Sequence, residues 1–302
     1  MHSRNETVLI TGGSGLIGKH LTRKLMDRGY DVYHLTRSFG KEKSFYWNPK
    51  SGFISEDALI NTNHIIHLAG VGIADKRWNF KRKQEILDSR VHTARLLLDA
   101  ILKSQAPVKT FVTASAIGFY GDNTGINTET TLPGNGFLAT VCKHWESMAD
   151  AFSQSGIRTL KIRTGMVITK EGGFLSLMSL MVKLGLAAPL GSGNQSMPWI
   201  HIDDLCEIYC QCIENEEWTG VINAVAPEDI TNKTFTRILA REMKRPFWPF
   251  NIPAFLIRWV LGERSVLVLQ GSPVQPKRLL DMDFPFKYSE IGAALESVTE
   301  LQ

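Results

Sequence analysis

The chain has 302 residues, of which 43% are apolar and 25 are glycine, and 34 basic residues against 30 acidic ones give a formal net charge of +4. This length is enough for one large α/β unit or for a domain with a smaller lobe. The small excess of positive charge is spread along the chain, and this gives no indication of a nucleic-acid partner. The most apolar late stretch, 252–269, is interrupted by Arg258, Glu263 and Arg264, and this argues against a transmembrane helix.

The first half of the chain alternates short β-rich runs with longer helical patterns. Strands are predicted at 7–11, 31–36, 64–68, 109–114 and 159–162. Helices are predicted between them at 16–28, 80–103 and 137–154. Most of the strands are largely apolar, as expected of strands buried on both faces. The pattern predicts an α/β fold with a Rossmann-type, doubly wound parallel sheet.

The alternation loosens beyond about residue 165, where glycine and proline cluster between residues 172 and 198. Helices are predicted there at 174–184, 204–215, 233–243 and 254–261, with Asp203 and Thr231 as N-caps of the second and third. We therefore expect residues 1–165 to form one domain, to which some later segments return, and residues 166–302 to form a smaller substrate lobe. The cleft between them is the expected place for a site.

A glycine-rich loop joins the first predicted strand to the first predicted helix. Gly12 would permit the tight turn, Gly15 would let the backbone approach a pyrophosphate, and Gly18 would let helix and strand pack closely. The helix N-terminus offers free N–H groups and a partial positive charge to the phosphates. The residues predicted to bind a dinucleotide here are Gly12, Gly13, Ser14, Gly15, Leu16, Ile17 and Gly18.

The end of the second predicted strand indicates which dinucleotide is bound. An acidic residue there would hydrogen-bond the adenosine ribose and favour NAD. Asp31 lies at the start of this strand, however, and its end is Thr36, Arg37 and Ser38. A guanidinium flanked by hydroxyls suits a 2′-phosphate. We therefore predict NADP(H) as the cofactor, bound through these three residues; the alternative is that Arg37 is a simple surface arginine.

Further motifs resemble those of the extended short-chain dehydrogenase/reductases. They are the glycine loop, His67-Leu68-Ala69-Gly70, Ser115 after a strand, and WIHIDD at 199–204. More narrowly, the chain is similar to the YfcH-like "epimerase family" branch, whose tail domain has no assigned function. The narrower resemblance covers almost the whole chain and rests on Arg77-Trp78, Ser89-Arg90-Val91, GFYG at 118–121, KHWE at 143–146, GSG at 191–193 running into Pro198-Trp199, and a tail with Gly271 and PKRLL at 276–280.

The resemblance implies further cofactor contacts along the groove. They are Leu68, Ala69, Gly70, Glu85, Arg90 and Met166. The first three would border the adenine ribose and the phosphates, and Met166 would lie near the nicotinamide. Ordinary family members have an asparagine where Arg90 stands, so we expect Arg90 to act as a charge toward phosphate.

The family's proton relay is a Ser or Thr with a Tyr and a Lys spaced as Tyr-x3-Lys, in which the tyrosine is the general acid/base. Ser115 would be the first of these by position. If Lys143 is aligned with the lysine, Ala139 stands at the tyrosine position; a shift of one residue makes the pair Leu138 and Cys142. Neither register supplies a phenol.

Tyr120, in the turn after the Ser115 strand, is the nearest replacement for the missing tyrosine. The predicted catalytic residues are therefore Ser115, Tyr120 and Lys143. The alternative for Tyr120 is a ring packed at the domain seam.

Substrate contacts are predicted at four residues. They are Lys76, Arg77, Trp78 and Trp199. The alternative for the first three is that they simply decorate the start of a helix. His201 titrates near neutrality when unperturbed, but in the wider family its segment anchors the second lobe, so a structural hydrogen bond is the favoured interpretation.

The cysteines do not indicate a metal site. Cys212 points away from the helix face shared by Cys206 and Cys210, and Cys142 is remote, so buried structural thiols are expected. Reduced thiols and the polar start of the chain, residues 1–6, predict a cytoplasmic protein with no membrane partner. A monomer or a homodimer is expected.

The combined prediction is an NADP(H)-dependent oxidoreductase or epimerase that acts on a small polar substrate, such as a nucleotide-linked sugar, with hydride chemistry supplied by the cofactor. The alternative is a non-catalytic NADP(H)-binding sensor or regulatory protein, since some relatives carry a cell-division label and the usual tyrosine is missing.

Overall fold

An eight-stranded sheet lies at the centre of the computed structural model, which describes residues 6–40 and 42–299. The strands are β1 (Thr7–Thr11), β2 (Asp31–Thr36), β3 (Ser44–Asn48), β4 (Phe53–Ile54), β5 (Thr62–His67), β6 (Thr110–Ala116), β7 (Arg158–Thr164), β8 (Met166–Ile168), β9 (Trp199–His201) and β10 (Gly220–Ala224). The order in the large sheet is β10-β7-β6-β5-β1-β2-β3-β4. All its pairs are parallel except β3 with β4, and β8 pairs with β9 in a separate two-stranded sheet.

Helices follow most of the strands. They are α1 (Leu16–Asp27), α2 (Phe80–Ser104), α3 (Phe137–Gln154), α4 (Gly173–Lys183), α5 (Ile202–Glu214), α6 (Asn232–Glu242), α7 (Ala254–Leu261), α8 (Val266–Leu269), α9 (Lys277–Asp281) and α10 (Ile291–Thr299). The strand order changes direction between β1 and β5, and the carboxyl ends of these two neighbours therefore open a crevice of the kind that binds ligands in doubly wound sheets.

The large sheet is buried on both faces because successive strand side chains point to opposite sides. Val8 of β1 lies in a core with Leu21 of α1 and Leu205 of α5. Leu9, one residue on, lies in the core of the other face with Phe152 of α3. Helices on both faces of a parallel sheet confirm the predicted doubly wound fold.

A second core lies in the later part of the chain. It joins β8, β9 and four helices through Ile168, Leu175, Trp199, Phe235 and Leu295, among others. The strand β10 and the helix α5 come after parts of this second core in sequence. Nevertheless, β10 pairs with β7 at the edge of the large sheet, and α5 packs on α1.

The structure adds elements to the predicted ones, corrects one helix N-cap and confirms another. The strands β3, β4, β8, β9 and β10 were not predicted, and nor were the last three helices. His201, not Asp203, is the N-cap of α5, since its Nδ1 accepts a hydrogen bond from the Asp203 N–H at 3.1 Å. Thr231 is confirmed as the N-cap of α6, with a hydrogen bond from the Thr234 N–H at 3.2 Å.

None of the helices in the described part of the chain is long and apolar enough to cross a membrane. The polar start of the chain, on which the expectation of a cytoplasmic protein partly depends, lies outside the described residues up to residue 5.

Candidate functional site

The glycine loop connects β1 to α1 at the crevice, and three of its glycines are required by the protein's own packing. Gly12 has φ +72°, and a Cβ there would come within 2.9 Å of the Leu68 carbonyl group. A Cβ on Gly13 would lie 2.6 Å from the ring of His34, and one on Gly18 would lie 2.6 Å from the Gly12 carbonyl oxygen. The absence of a side chain at these glycines therefore lets the loop lie close to β2, to the segment after β5 and to the first turn of α1.

Gly15 is less constrained by the protein's own packing than these three glycines. Its φ is −74°, and a Cβ would meet only the Gly12 carbonyl oxygen, at 3.2 Å. Gly15 and Ser14 are exposed, and Gly15 is the N-cap of α1 without a side-chain capping bond. The first N–H groups of α1 have no acceptor within the helix, so this end of the helix presents donors and a partial positive charge to an anion.

Arg37 lies at the carboxyl end of β2, next to the glycine loop. It is exposed and has no hydrogen bond or ion pair with a residue of the described ranges, while the Ser38 N–H turns back to Thr36 Oγ1 at 3.2 Å. Asp31 lies at the opposite end of β2, 3.9 Å from Lys43 Nζ. The carboxyl end of β2 is therefore followed by a cation and a hydroxyl, whereas the carboxylate of β2 lies at the other end of the strand.

A buried histidine fixes the segment after β5. His67 Nδ1 lies 2.8 Å from Thr11 Oγ1, which accepts the Ala69 N–H at 3.1 Å. His67 Nε2 lies 3.2 Å from Thr93 Oγ1, and this hydroxyl donates to the Ser89 carbonyl oxygen at 2.7 Å. Burial lowers the pKa of His67 to about 4, so the ring is neutral at pH 7.

This chain of hydrogen bonds is consistent with one tautomer, in which Nε2 carries the proton and Nδ1 accepts from the Thr11 hydroxyl. It ties β1, β5 and α2 together and holds residues 68–70 at the crevice. Sequence reasoning quoted His67 as part of a motif but gave it no role. A histidine directly after the apolar pair Ile65-Ile66, at the end of the strand, was the available signal.

The structure gives the contacts of the other residues implied by the resemblance. A Cβ on Gly70 would come within 3.0 Å of Arg90 Cζ, so α2 packs directly beneath this segment. Glu85 is turned to Arg82, with an ion pair of 3.1 Å. Met166 is half-buried in β8, where its N–H donates to the Pro198 carbonyl at 2.8 Å.

Ser115 and Tyr120 belong to one buried polar network. Ser115 Oγ donates to Glu146 Oε1 at 2.7 Å, and Arg163 binds the same carboxylate with Nε and Nη2, both at 2.8 Å. Arg163 Nη1 donates to the Tyr120 hydroxyl at 3.0 Å, and that hydroxyl lies 2.6 Å from Asn223 Oδ1. Glu146 and Arg163 were missed by sequence reasoning.

The prediction of a proton relay through Tyr120 has to be corrected on this geometry. Its side chain is 1% exposed, its hydroxyl is engaged by Arg163, Asn223 and the Thr128 carbonyl, and burial raises its pKa. A phenol held in this way has no proton left to exchange with a substrate. The alternative interpretation, a ring packed at a seam, agrees with its position.

The helical phase of α3 also corrects the assignment of Lys143. Lys143 is exposed, whereas Cys142 is buried with Sγ 3.7 Å from the Ala116 carbonyl oxygen at the end of β6. A Cβ on Gly118, in the turn after β6, would lie 3.2 Å from Leu138 Cβ. The pair that faces the strand ends is therefore Leu138 and Cys142, which has neither a phenol nor an ammonium group.

The predicted substrate residues separate into two groups. Lys76 and Arg77 are exposed on the loop between β5 and α2, and Arg77 Nη2 donates to the Val260 carbonyl at 3.0 Å. Trp78 donates from Nε1 to the Ile73 carbonyl at 2.8 Å within the same loop. The prediction for Trp199 is wrong, because its side chain is 0% exposed in the core of the second lobe.

His201 has the structural hydrogen bond that was favoured for it. Its cap on α5 is supported by burial, which lowers its pKa to about 4 and keeps the ring neutral at pH 7. The four cysteines are free and buried, as expected of structural thiols. Across residues 6–40 and 42–299 there is no group of three or more His, Cys, Asp or Glu side chains able to hold a metal ion.

Comparison with known proteins identifies two families along the chain. Residues 8–224 match the NAD dependent epimerase/dehydratase family, and residues 252–298 match a domain of unknown function, DUF1731. An epimerase family protein of Mycobacterium leprae is 34% identical over 300 residues, which cover 98% of this chain and 97% of that protein.

Solved structures agree with these matches. The crystal structure of the human epimerase family protein SDR39U1 with NADPH has a TM-score of 0.88 and 32% identity, covering 98% of this chain and all of that one. A UDP-glucose 4-epimerase of Thermotoga maritima, solved with UDP-glucose, has a TM-score of 0.77 at 18% identity, covering 97% of both chains. The second likeness shows the fold alone.

Proposed function

The chain belongs to the NAD dependent epimerase/dehydratase family, and we propose that it binds NADP(H) for an oxidoreductase or epimerase step on a small polar substrate. The observation that carries the proposal is the open helix N-terminus at Gly15 beside Arg37, whose exposed guanidinium has no hydrogen bond or ion pair with another described residue. The relative whose crystal structure contains NADPH, 32% identical to this chain, supports the same cofactor.

The residues of the crevice would suit the adenosine half and the pyrophosphate of this dinucleotide. The α1 N-terminus beside Gly15 would hold the pyrophosphate, since its first N–H groups have no acceptor within the helix and the glycine leaves space for phosphate oxygens. Arg37 would bind the 2′-phosphate in a two-pronged contact, with the hydroxyls of Thr36 and Ser38 beside it. The segment 68–70, held by His67, would border the dinucleotide on its β5 side.

The cofactor, when bound, supplies hydride chemistry, and the chain supplies orientation and exclusion of water. Ser115 donates its own proton to Glu146, so its oxygen is left to accept a hydrogen bond from a substrate hydroxyl. Glu146 is neutralised by Arg163, which makes it an anchor for Ser115 rather than a base. We therefore assign Ser115 to positioning the substrate.

A second candidate function, an NADP(H)-binding sensor without catalysis, is favoured by one observation. Leu138 and Cys142 occupy the face of α3 that turns to the end of β6, and burial raises the pKa of Cys142 to about 12. This face offers neither an acid/base nor a cation. Proton transfer by a tyrosine–lysine pair is therefore absent from the site formed by the described residues.

One experiment separates these functions. NADPH is titrated into the purified protein by fluorescence, and the loaded protein is then mixed with a panel of carbonyl metabolites and nucleotide sugars while reduced nicotinamide is followed by absorbance. Binding with consumption of NADPH by any one compound supports the enzyme. Binding without consumption by any compound supports the sensor, and absence of NADPH binding contradicts both.

A further inference from the structure

The crevice has an apolar wall near Ser115, formed by Trp78, Phe137 and Leu138, with Val260 of α7 at its outer edge. We infer that the substrate has a polar reacting group, held at Ser115, and an apolar body, such as an aromatic ring, that packs on this wall. The inference rests on the proposed function, and it limits the polar part of the substrate to its reacting end.

The start of α3 places the inner part of the wall next to the strand ends. Leu138 faces these ends, since a Cβ on Gly118, in the turn after β6, would lie 3.2 Å from Leu138 Cβ. Ser115 belongs to β6 itself. Phe137 directly precedes Leu138, and both side chains are half-buried, so part of each remains open to a ligand. A substrate hydroxyl at Ser115 would therefore have apolar surface close to it.

Trp78 extends this surface from α3 to the loop between β5 and α2. Its ring packs edge-to-face on that of Phe137, with the ring centroids 5.0 Å apart and the ring planes at 68°. Trp78 Nε1 donates to the Ile73 carbonyl oxygen at 2.8 Å, so the one polar group of the side chain is satisfied within the loop. The half-buried ring therefore offers carbon surface, rather than a hydrogen-bond donor, to a ligand.

Polar contacts fix the end of α7 beside the loop that carries Trp78. Arg77 Nη2 donates to the Val260 carbonyl oxygen at 3.0 Å, and Arg264 Nη1 donates to the Ala74 carbonyl oxygen at 2.7 Å. The helix α7 belongs to the second core. The wall therefore continues from the loop after β5 onto the second lobe.

Charged side chains near the wall are paired with one another. Lys83, whose Nζ lies 5.4 Å from the centroid of the Phe137 ring, forms an ion pair with Glu263. Arg82 pairs with Glu85 at 3.1 Å. A sugar or a nucleotide needs several polar partners for its hydroxyls and phosphates, whereas a lining of apolar side chains with few polar groups suits an apolar body.

The exposed part of the wall is the source of the expected affinity. Trp78 and Phe137 keep part of their rings in contact with water, and Val260 is 56% exposed. Removal of apolar surface from water is favourable in proportion to its area. A phenyl group packed on the wall should therefore tighten binding by about tenfold or more.

The test compares two alcohols that share the reacting group and differ in the apolar body. 3-Phenyl-1-propanol and 1-propanol are added in concentration series to the full-length protein loaded with NADP⁺, and binding is measured by thermal shift. We expect the phenyl compound to bind at least about tenfold more tightly than 1-propanol. UDP-glucose, which has no apolar body, should bind more weakly than the phenyl compound.

Variants locate the apolar body. Trp78→Ala should reduce the affinity for 3-phenyl-1-propanol to about that for 1-propanol, while Trp78→Phe should keep most of the preference. Trp248→Ala is the matched control, because Trp248 is also partly exposed and its Nε1 also donates to a carbonyl oxygen at 2.8 Å, that of Gly185 just beyond α4. This control should leave both affinities unchanged, and titration with NADPH shows that each variant is folded.

The contrary results are distinct from one another. Equal binding of the two alcohols, or tighter binding of UDP-glucose than of the phenyl compound, overturns the inference while NADPH binding leaves the proposed function intact. A preference for the phenyl compound that survives Trp78→Ala overturns it as well, because the apolar body then lies elsewhere. If Trp78→Ala loses NADPH binding, Phe137→Ala decides by the same criterion. If the unmodified protein binds no NADPH, the proposed function fails and the inference fails with it.

Discussion

Substitution of Gly15 by valine separates the requirements of the ligand from those of the fold. The backbone at Gly15 has φ −74°, which any residue can adopt, and the added Cβ would approach one carbonyl oxygen at 3.2 Å. Gly15 makes no side-chain cap, so only the modest N-cap preference for glycine over valine is lost, about 1 kcal/mol or less. We expect Gly15→Val to fold with nearly the stability of the unmodified protein.

Binding should respond much more strongly than stability. The valine side chain would occupy the space from which the α1 N–H groups reach a pyrophosphate. Two charge-assisted hydrogen bonds of about 1.5–3 kcal/mol each amount to roughly two to four orders of magnitude in affinity. Fluorescence titration of NADPH measures the affinity, and urea unfolding measures the stability.

Gly13→Val is the matched control, because a Cβ there would lie 2.6 Å from the His34 ring and should lower stability as well as binding. The reasoning is refuted if Gly15→Val binds NADPH with unchanged affinity. It is refuted equally if Gly15→Val unfolds as readily as Gly13→Val, because the glycine would then serve the fold.

Three further predictions concern other parts of the site. Arg37→Ala should weaken NADPH by about tenfold, the lower end for an exposed charge-assisted contact, and leave NADH unchanged in calorimetric titrations; equal losses would contradict the 2′-phosphate assignment. Burial lowers the pKa of His67 from 6.5 to about 4, so the folded state binds fewer protons than the unfolded state between these two values. The free energy of unfolding should therefore rise between about pH 4 and 6.5 and stay level above that range. In urea titrations, His67→Gln should remove up to about 3 kcal/mol of this rise, and His201 should account for a remainder. Tyr120→Phe should lower the free energy of unfolding by about 1–3 kcal/mol, since Arg163 and Asn223 lose a partner, and leave NADPH affinity unchanged; lost turnover at unchanged stability would restore the relay.

The placement of the glycine loop and of Arg37 could be predicted from the sequence because it depends on local patterns. A strand, a glycine loop and a helix follow one another within residues 7–27, and Arg37 directly follows β2. Backbone conformation and chain order alone decide where these groups lie. The predicted bounds of β1, β2, α3 and α7 agree with the structure for the same reason, since each has a strong local pattern.

The positions of the predicted catalytic and substrate residues on α3, after β6 and in β9 could not be predicted, because they depend on helical phase and on tertiary burial. Successive residues of a helix differ by about 100° in direction, so the choice between Lys143 and Cys142 decides whether a group faces solvent or the strand ends. Tyr120 and Trp199 have residue types that suit a site, and only their packing shows that both are buried. The missed strands β8 and β9 have three residues each, too few to show an alternating pattern.

The central claim is that the crevice beside Gly15 and Arg37 is an NADP(H) site. Calorimetric titration of NADPH and of NADH into the unmodified protein tests it most directly. The account predicts one NADPH bound per chain, with an affinity higher than that of NADH by about one order of magnitude. Absence of NADPH binding, or equal affinities for the two dinucleotides, would contradict it.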